Sequence, residues 1–280
     1  MTVELGRYGF WRRQAGFTPE LAREVEALGF GAIWIGGSPP ADLTEVEGLL
    51  AATDRIAIAT GIVNMWASPA AEVAESYHRI ATRYPGRFLL GVGIGHPEAV
   101  GQYRKPYATI VEYLDELDAG GVPVDGRALA ALGPKVLAVA RDRTAGAHPY
   151  LTTPHHTREA RGILGDGPLL APEQKVVLDT DVERARAIGR DKVSNPYLKL
   201  TNYRNNLLRE GFTQQDLDTA SDALVDALAI HGDAATVAAG LTAHLDAGAD
   251  HVCAQILVGD GAEYVPALTS LAGALGLSAI

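Results

Sequence analysis

The sequence predicts an α/β protein built as one (β/α)8 TIM barrel. Three observations predict it. An amphipathic helix that stops at glycine and runs at once into a short apolar strand recurs along the chain. The strands are apolar at consecutive positions, the mark of a parallel sheet covered by helices on both faces. Eight such strands can be counted in 280 residues, a length that suits one barrel of about 250 residues or two small domains.

In order along the chain, the first strand is expected near residues 3–9. The helix Pro19 to Leu28 follows, capped by Thr18. Leu21, Val25 and Leu28 recur at i, i+4 and i+7 on its apolar face, and Gly29 ends it before strand two at 31–36. Strand three, 56–63, opens on Ile56-Ala57-Ile58-Ala59. The helix Val73 to Tyr84 passes through Gly86 into strand four, 87–93. Strand five, 128–132, precedes the helix Val136 to Arg143, which leads through Gly146 to strand six, 145–151. The helix Thr157 to Leu164 precedes strand seven, 173–179. The helix Val237 to Asp246 stops at Gly248 before strand eight, 250–257.

Eight parallel strands alternating with helices favour a closed barrel over an open doubly wound sheet. The spacing is regular except for about 70 residues between strands seven and eight, a helical insertion after the seventh strand. Tyr197 to Arg209 and Gln215 to Ile230 read as its helices, placed over the C-terminal mouth where barrels work. No Pro- or Ser-rich linker interrupts the chain, so residues 1–280 read as a single domain.

Composition narrows the function classes. The chain is 47% hydrophobic and 21% charged, ordinary for a globular protein. Its net charge of −10, with no Lys/Arg-rich block, leaves no footprint for nucleic acid or an acidic membrane surface. The single cysteine, Cys253, sits in an apolar run and reads as a buried structural thiol. Met1 to Trp11 has no sustained apolar stretch, so a reducing cytoplasm is the expected location.

The chemistry is expected at the C-terminal strand ends. Strand two ends in Gly36-Gly37-Ser38, strand three in Gly61-Ile62-Val63-Asn64, and strand four in Gly91-Val92-Gly93-Ile94-Gly95-His96. Strand five ends in Gly133-Pro134 and strand six in His148-Pro149-Tyr150. Small residues at these ends let a flat ring or a phosphate approach the backbone, although each glycine alone is equally a turn former. A wide planar ligand is the joint reading. A dinucleotide fingerprint would need glycine at 96 or 98, where His96 and Glu98 stand, so a Rossmann NAD site is rejected.

The segment Tyr150 to Thr157 opens a helix, so its hydroxyls and free N–H groups suit a phosphate, while Thr152 or Thr153 as N-cap with Pro154 next is the plain alternative. His155 and His156 point apart on a helix and make a poor metal site. No zinc, nucleophile-elbow or Walker motif occurs, so hydrolase and ATPase classes lose support. His96 and Glu98 can serve as acid or base. Asn202 to Asn206 can give polar lid contacts, and Asp179-Thr180-Asp181 reads as a helix cap.

Pro85-Gly86-Arg87-Phe88-Leu89-Leu90-Gly91-Val92-Gly93 resembles the fourth-strand signature of luciferase-like, flavin- or deazaflavin-dependent monooxygenases and reductases. Asp246 to Val252 is similar to the approach to their eighth strand. Ala130 to Pro134, Gly146 to Tyr150, Leu170 to Lys175 and Asn202 to Asn206 resemble an actinobacterial branch that uses coenzyme F420. The resemblance implies a non-proline cis peptide in the bulge Gly61, Ile62, Val63, Asn64, with Gly93, Gly95 and His96 beside the ring and Tyr150, Thr152 and Thr153 near the phosphate, and the strand-end residues Gly36, Gly133 and His148 are further candidates for cofactor contact. It also implies a homodimer. Relatives that act on sugar phosphates and alcohols carry an acid at the end of strand two and a Glu in the fourth-strand loop, where this chain has Gly36-Gly37-Ser38 and His96. His96 is therefore the expected proton-transfer residue, its ordinary pKa of about 6.5 suiting either direction. An F420-dependent hydride-transfer enzyme is the first reading. An FMN-dependent monooxygenase and a catalytically silent flavin-binding protein are the alternatives.

Overall fold

The computed structural model describes residues 3–95, 106–259 and 264–278. Its elements begin with β1 (Tyr8–Arg13), α1 (Pro19–Ala27), β2 (Ala32–Gly36), α2 (Thr44–Ala52), β3 (Ala57–Thr60), β4 (Val63–Asn64), α3 (Ala70–Arg83) and β5 (Phe88–Gly93). Next come α4 (Pro106–Ala119), β6 (Arg127–Leu129), α5 (Pro134–Arg143), β7 (Gly146–Ala147), α6 (Pro154–Leu164), β8 (Leu169–Leu170) and β9 (Glu173–Leu178). The chain continues with α7 (Val182–Ser194), α8 (Thr201–Arg209), α9 (Gln214–Thr219), α10 (Asp222–Leu228), β10 (Ala229–Gly232), α11 (Ala234–Asp246), β11 (Val252–Ile256) and α12 (Tyr264–Ala274).

Every paired strand is parallel, in the order β10-β9-β11-β1-β2-β3-β5-β6-β7-β8, with β4 beside β5. Only Ala171 and Pro172 separate β8 from β9, and the Glu173 N–H reaches back to the Pro149 carbonyl at 2.9 Å. One continuous stretch of chain thus belongs to both limbs of the path, and the sheet is curled into a barrel. Between the sheet's outer face and the helices lies the larger core, where Val25, Leu50, Ile80 and Leu114 meet Ile33, Ile58 and Leu90.

The inward-facing positions make a second, smaller core around Trp34, which is fully buried among Ala32, Ala57, Ala59, Ala128 and Cys253. One indole on this scale removes about 200 Å² from water, worth about 5 kcal/mol at about 25 cal/mol per Å². The alanines leave it the room. Its ring stacks on His148, centroids 4.1 Å apart and planes 14° from parallel. Its Nε1–H donates to His251 Nε2 at 2.9 Å, and the His251 Nδ1–H donates to the Gly6 carbonyl at 2.8 Å. Cys253 is buried here as expected, against the Pro172 carbonyl.

Four expectations need correction. The first strand runs over 8–13, not 3–9: Gly6 turns the chain with φ +65°, and pairing with β2 starts at Gly9. Its polar end masked it, Arg13 lining the cavity mouth and Arg12 lying over the Tyr264 ring at 3.9 Å. The stretch Gln215 to Ile230 is two short helices followed by a strand, β10, which pairs with β9. Local apolar spacing cannot reveal a parallel partner 54 residues upstream, Lys175 opposite Ala229. Strand six is confined to Gly146–Ala147 because Pro149 has no N–H to extend the ladder, and strand seven starts earlier, with Pro172 interrupting it. The insertion after β9 has its own apolar cluster, Leu198, Tyr203, Leu207, Leu224 and Val225, and is anchored on Leu151.

Gly91 is the tightest point of the wall. A Cβ there would lie 1.8 Å from the Thr60 carbonyl oxygen, whose own hydroxyl donates to the Gly91 carbonyl at 2.7 Å. Gly91→Ala is expected to destabilise the fold by more than about 3 kcal/mol in urea unfolding. Gly48→Ala, at a helical position with open space around it, should instead add about 0.5–1 kcal/mol. Equal stability of the two variants would contradict this packing.

Candidate functional site

A cavity of about 660 Å³ opens at the C-terminal ends of the strands. Its floor is formed by Trp11 of β1, Gly61 and Ile62 after β3, Ala130 after β6 and His148 after β7. Asn64, Ile94 and Gly95 form one side, and Gly133 and Lys135 the start of α5 on the other. The roof comes from Tyr107 and Ile110 of α4 and from the insertion, through Tyr197, Asn202 and Tyr203. The Gly61–Ile62 peptide bond is cis, in the bulge where the family resemblance puts one.

Of the expected ligand residues, Gly61, Ile62, Asn64, Gly95, Gly133, His148 and Tyr150 line this cavity. Gly36, Val63, Gly93, Thr152 and Thr153 do not. A Cβ at Gly36 would lie 1.9 Å from the Trp11 ring, so the flat ring that this glycine admits is the protein's own indole. Gly93 makes room for Ile62 and Ala130, with a Cβ there 2.8 Å from that of Ala130, and Val63 is sealed in the wall opposite Val92. Thr153 caps α6, accepting from the His156 N–H at 3.3 Å with Pro154 next, and its hydroxyl donates to Glu210. Thr152 is buried beside it. His96 and Glu98 lie outside the described residues.

Within Asn202 to Asn206, Asn202 and Tyr203 face the cavity, while Arg204 pairs with Asp218 and Asn206 binds Glu210. Asp181 is the N-cap of α7, as its position suggested. His156 is buried with Nε2 against the Leu132 carbonyl. Among the described residues no group of three or more His, Cys, Asp or Glu could hold a metal. No helix there is long and apolar enough to cross a membrane.

Trp11, Arg13, Tyr107, Lys135 and Tyr197 line the cavity without having been expected there. The misplaced first strand hid Trp11 and Arg13. Tyr197 carried no signal beyond a helical reading, yet it belongs to an aromatic group with Tyr150 and Tyr203, at centroid distances of 5.2 Å and 5.1 Å. The Tyr197 O–H donates to the Tyr150 oxygen at 3.0 Å, and the Tyr150 O–H to Gln255 at 2.9 Å. Beneath them Lys175 Nζ lies 3.9 Å from the centre of the Tyr150 ring and 3.1 Å from Glu173 Oε1. Both charged groups are buried. Burial raises the Glu173 carboxyl and lowers the Lys175 ammonium, and each opposes the other's shift by its charge. Such a pair is costly to break, so it holds Tyr150 and, through the Leu151 N–H, the start of the α6 loop.

Two buried nitrogens on the floor have no hydrogen-bond partner among the described residues: Trp11 Nε1 and His148 Nε2. The His148 Nδ1–H donates to the Ala171 carbonyl at 2.7 Å, which fixes the tautomer and leaves Nε2 a lone pair. Burial lowers this imidazole to about 4, so it is neutral near pH 7.

Residues 8–120 match the family model of the luciferase-like monooxygenases. The match covers under half of the chain and includes the fourth-strand motif, and the eighth-strand motif lies beyond it. No curated protein matches the chain in sequence. Among solved structures, an F420-dependent secondary alcohol dehydrogenase in complex with an F420-acetone adduct superposes with a TM-score of 0.74 at 14% identity, over 97% of this chain and 98% of that one. The coenzyme F420-dependent tetrahydromethanopterin reductase of Methanopyrus kandleri gives 0.66 at 16% identity, over 97% and 98%. The oxygenating constituent of 3,6-diketocamphane monooxygenase of Pseudomonas putida, in complex with FMN, gives 0.67 at 13% identity, over 98% of each. These similarities show the fold, an α/β barrel like that of the luciferase-like proteins.

Burial holds His148 and His251 at about 4 and His244 at about 3, against 6.5 for a free imidazole. The unfolded chain therefore takes up protons first. The stability these neutral rings contribute is complete above pH 6.5 and is lost as pH falls toward 4. Glu210, pushed up to about 7 by burial, acts with the opposite sign between 4.5 and 7. Burial lowers His156 as well and raises the Glu45 and Glu173 carboxyls along with Glu210, so four imidazoles act against three carboxyls and the urea midpoint should fall between pH 6.5 and 4.5. His244→Gln should flatten that fall by roughly 2–3 kcal/mol. A midpoint that is constant or rises on acidification would refute it.

Proposed function

We propose that this chain is an oxidoreductase that binds coenzyme F420 in the cavity and uses it for hydride transfer to or from a small organic substrate. The observation that carries the reading is the floor at Gly61. A Cβ there would lie 2.8 Å from Trp11 Nε1 and 2.9 Å from His148 Nε2, so the missing side chain lets the backbone and these two rings close into one continuous floor beneath the cavity. A flat ring can lie on such a floor. When bound, a deazaflavin supplies a ring carbon that takes up or gives hydride.

The chain's own residues account for the rest of the task. Trp11, Tyr150, Tyr197 and Tyr203 line the cavity with aromatic surface that excludes water from the reacting face. Arg13 and Lys135 put positive charge at the mouth, beside the start of α5, where Gly133 leaves the helix N–H groups without a side-chain cap. An anionic cofactor tail suits that end. His96, next in sequence after Gly95, is the residue we propose for proton transfer. The luciferase-like resemblance and two F420-dependent structural neighbours support the choice of F420. The FMN complex among the neighbours keeps FMN as the second reading. Pairing of two chains through outer helices belongs to the same proposal.

Titration of the purified chain with F420 and with FMN separates these readings. Saturable F420 binding with retained absorbance near 420 nm and hydride exchange with an alcohol or enone is expected. Selective FMN binding would favour the monooxygenase reading, and tight binding without turnover a silent binding protein. Gly61→Ala should weaken binding of the preferred cofactor by at least about tenfold with a cooperative melt retained, since the new methyl would push Trp11 and His148 out of the cavity floor. Elution at twice the monomer mass in size-exclusion chromatography is the expected assembly.

A further inference from the structure

Among the described residues, every charged side chain that lines the cavity is a cation. Arg13 and Lys135 are there and no Asp or Glu is, in a chain whose net charge is −10. A cleft walled by one sign of charge concentrates the other. The two cations are not neighbours. Arg13 ends β1, and Lys135 is the second residue of α5, which follows β6. Around the barrel β2, β3 and β5 separate β1 from β6 on one side, and β11, the continuous β8–β9 stretch and β7 separate them on the other. They therefore face each other across the mouth, and an anionic tail at the start of α5 engages Lys135 while leaving Arg13 unengaged.

Strand alternation fixes where Arg13 stands. Trp11 lies in the floor, and Arg13, two residues on, shares its inward face about 6–7 Å nearer the mouth. Beside it are Gly37, where a Cβ would lie 3.6 Å from Arg13 Nε, and Ser38, and neither carries a charge. Its field reaches the roof: burial raises the Tyr197 phenol, and the Arg13 charge opposes that rise. Arg143, Arg186 and Arg204 on the outer surface each hold carboxylates. Arg13 makes no ion pair and no hydrogen bond with any described residue. The guanidinium is left with all its donors at the edge of the cavity.

We propose that Arg13 holds the substrate, and that the substrate is a small carboxylate whose acid group docks at the end of β1 while its reacting carbon lies over the cavity floor. This assignment rests on the cofactor reading, which lays a flat ring on that floor. A planar guanidinium meets a carboxylate with two parallel N–H donors. Charge separates carboxylate from phosphate. A phosphate ester carries about −1.5 to −2 near pH 7 and calls for more than one cation, and the second cation is across the mouth. A single arginine matches a single carboxylate. Anchoring at one end also sets direction, so the uncharged part of the molecule extends from β1 over Gly61 toward Ala130, under Tyr197 and Tyr203. Oxo acids and hydroxy acids meet this description, and neutral ketones and alcohols lack the anchor.

Equilibrium binding to the purified chain, loaded with oxidised cofactor so that no probe is reduced, tests this by saturation-transfer NMR. The probes are levulinate, its uncharged amide levulinamide, and hydroxyacetone phosphate. Levulinate should bind the wild-type chain at least about tenfold more tightly than the amide, and more tightly than the phosphate. Arg13→Gln should erase that preference while the amide keeps its affinity within about twofold, and Arg13→Lys should restore part of it. A merely structural role for Arg13 would weaken acid and amide together. Lys135→Gln should keep the preference and weaken the cofactor instead. Arg13 is exposed and bonds no other residue, so its variants should melt within about 2 °C of the wild type. Failure of the wild type to bind the acid, equal binding of acid and amide, tighter binding of the phosphate, or a preference that survives in Arg13→Gln overturns the assignment and leaves the cofactor reading in place. If neither F420 nor FMN binds, that reading falls, and the acid–amide comparison on the unloaded chain decides whether Arg13 holds a carboxylate.

Discussion

One bulky indole inside a narrow barrel is the constraint on which the rest depends. Trp34 occupies the interior at full burial, and it fits only because the inward positions of neighbouring strands are alanines. Close packing leaves no slack there, so the contacts of that ring become fixed directions for its neighbours. Its flat face sets the plane of His148, and its N–H sets the tautomer of His251. A side chain in the core thereby sets the orientation of a ring in the cavity floor.

Above this layer the barrel changes character. Alanine gives way to Gly61, Gly91 and Gly93 on one side and to the buried Glu173–Lys175 pair on the other. The glycines bring backbone and indole close together, and the ion pair supports Tyr150 from below. The insertion completes the site from above with Tyr197 and Tyr203 while packing on its own apolar cluster. The cavity thus lies between two separately packed bodies, a rigid floor and a roof joined to it through Leu151 and the tyrosine hydroxyls.

Much of this was legible in residue order, and the failures have physical causes. Glycines at strand ends marked the right rim, but Gly36 and Gly93 serve the protein's own side chains, since a missing Cβ does not say which neighbour uses the space. Thr153 was legible as one of two possible helix caps because capping is local. That Glu210 sits on its hydroxyl was invisible, the two lying 57 positions apart. The strand β10 was read as helix because its apolar residues satisfy either period, and only the partner β9 makes it a strand. Trp11 escaped notice for a simpler reason: two arginines at the end of β1 broke the apolar pattern.

By itself the sequence determined the alternation of helix and parallel strand, the barrel class, the insertion after the seventh strand and the glycine-edged rim. These follow from periodicity, capping and the absence of side chains, all short-range properties of the chain. The tertiary structure alone decided which of those glycines face a cavity and which face an indole, that Trp11 and His148 converge at Gly61, and that a buried ion pair underlies the tyrosines. Such facts depend on distances between residues far apart in the chain, and those distances exist only once the sheet has closed around Trp34.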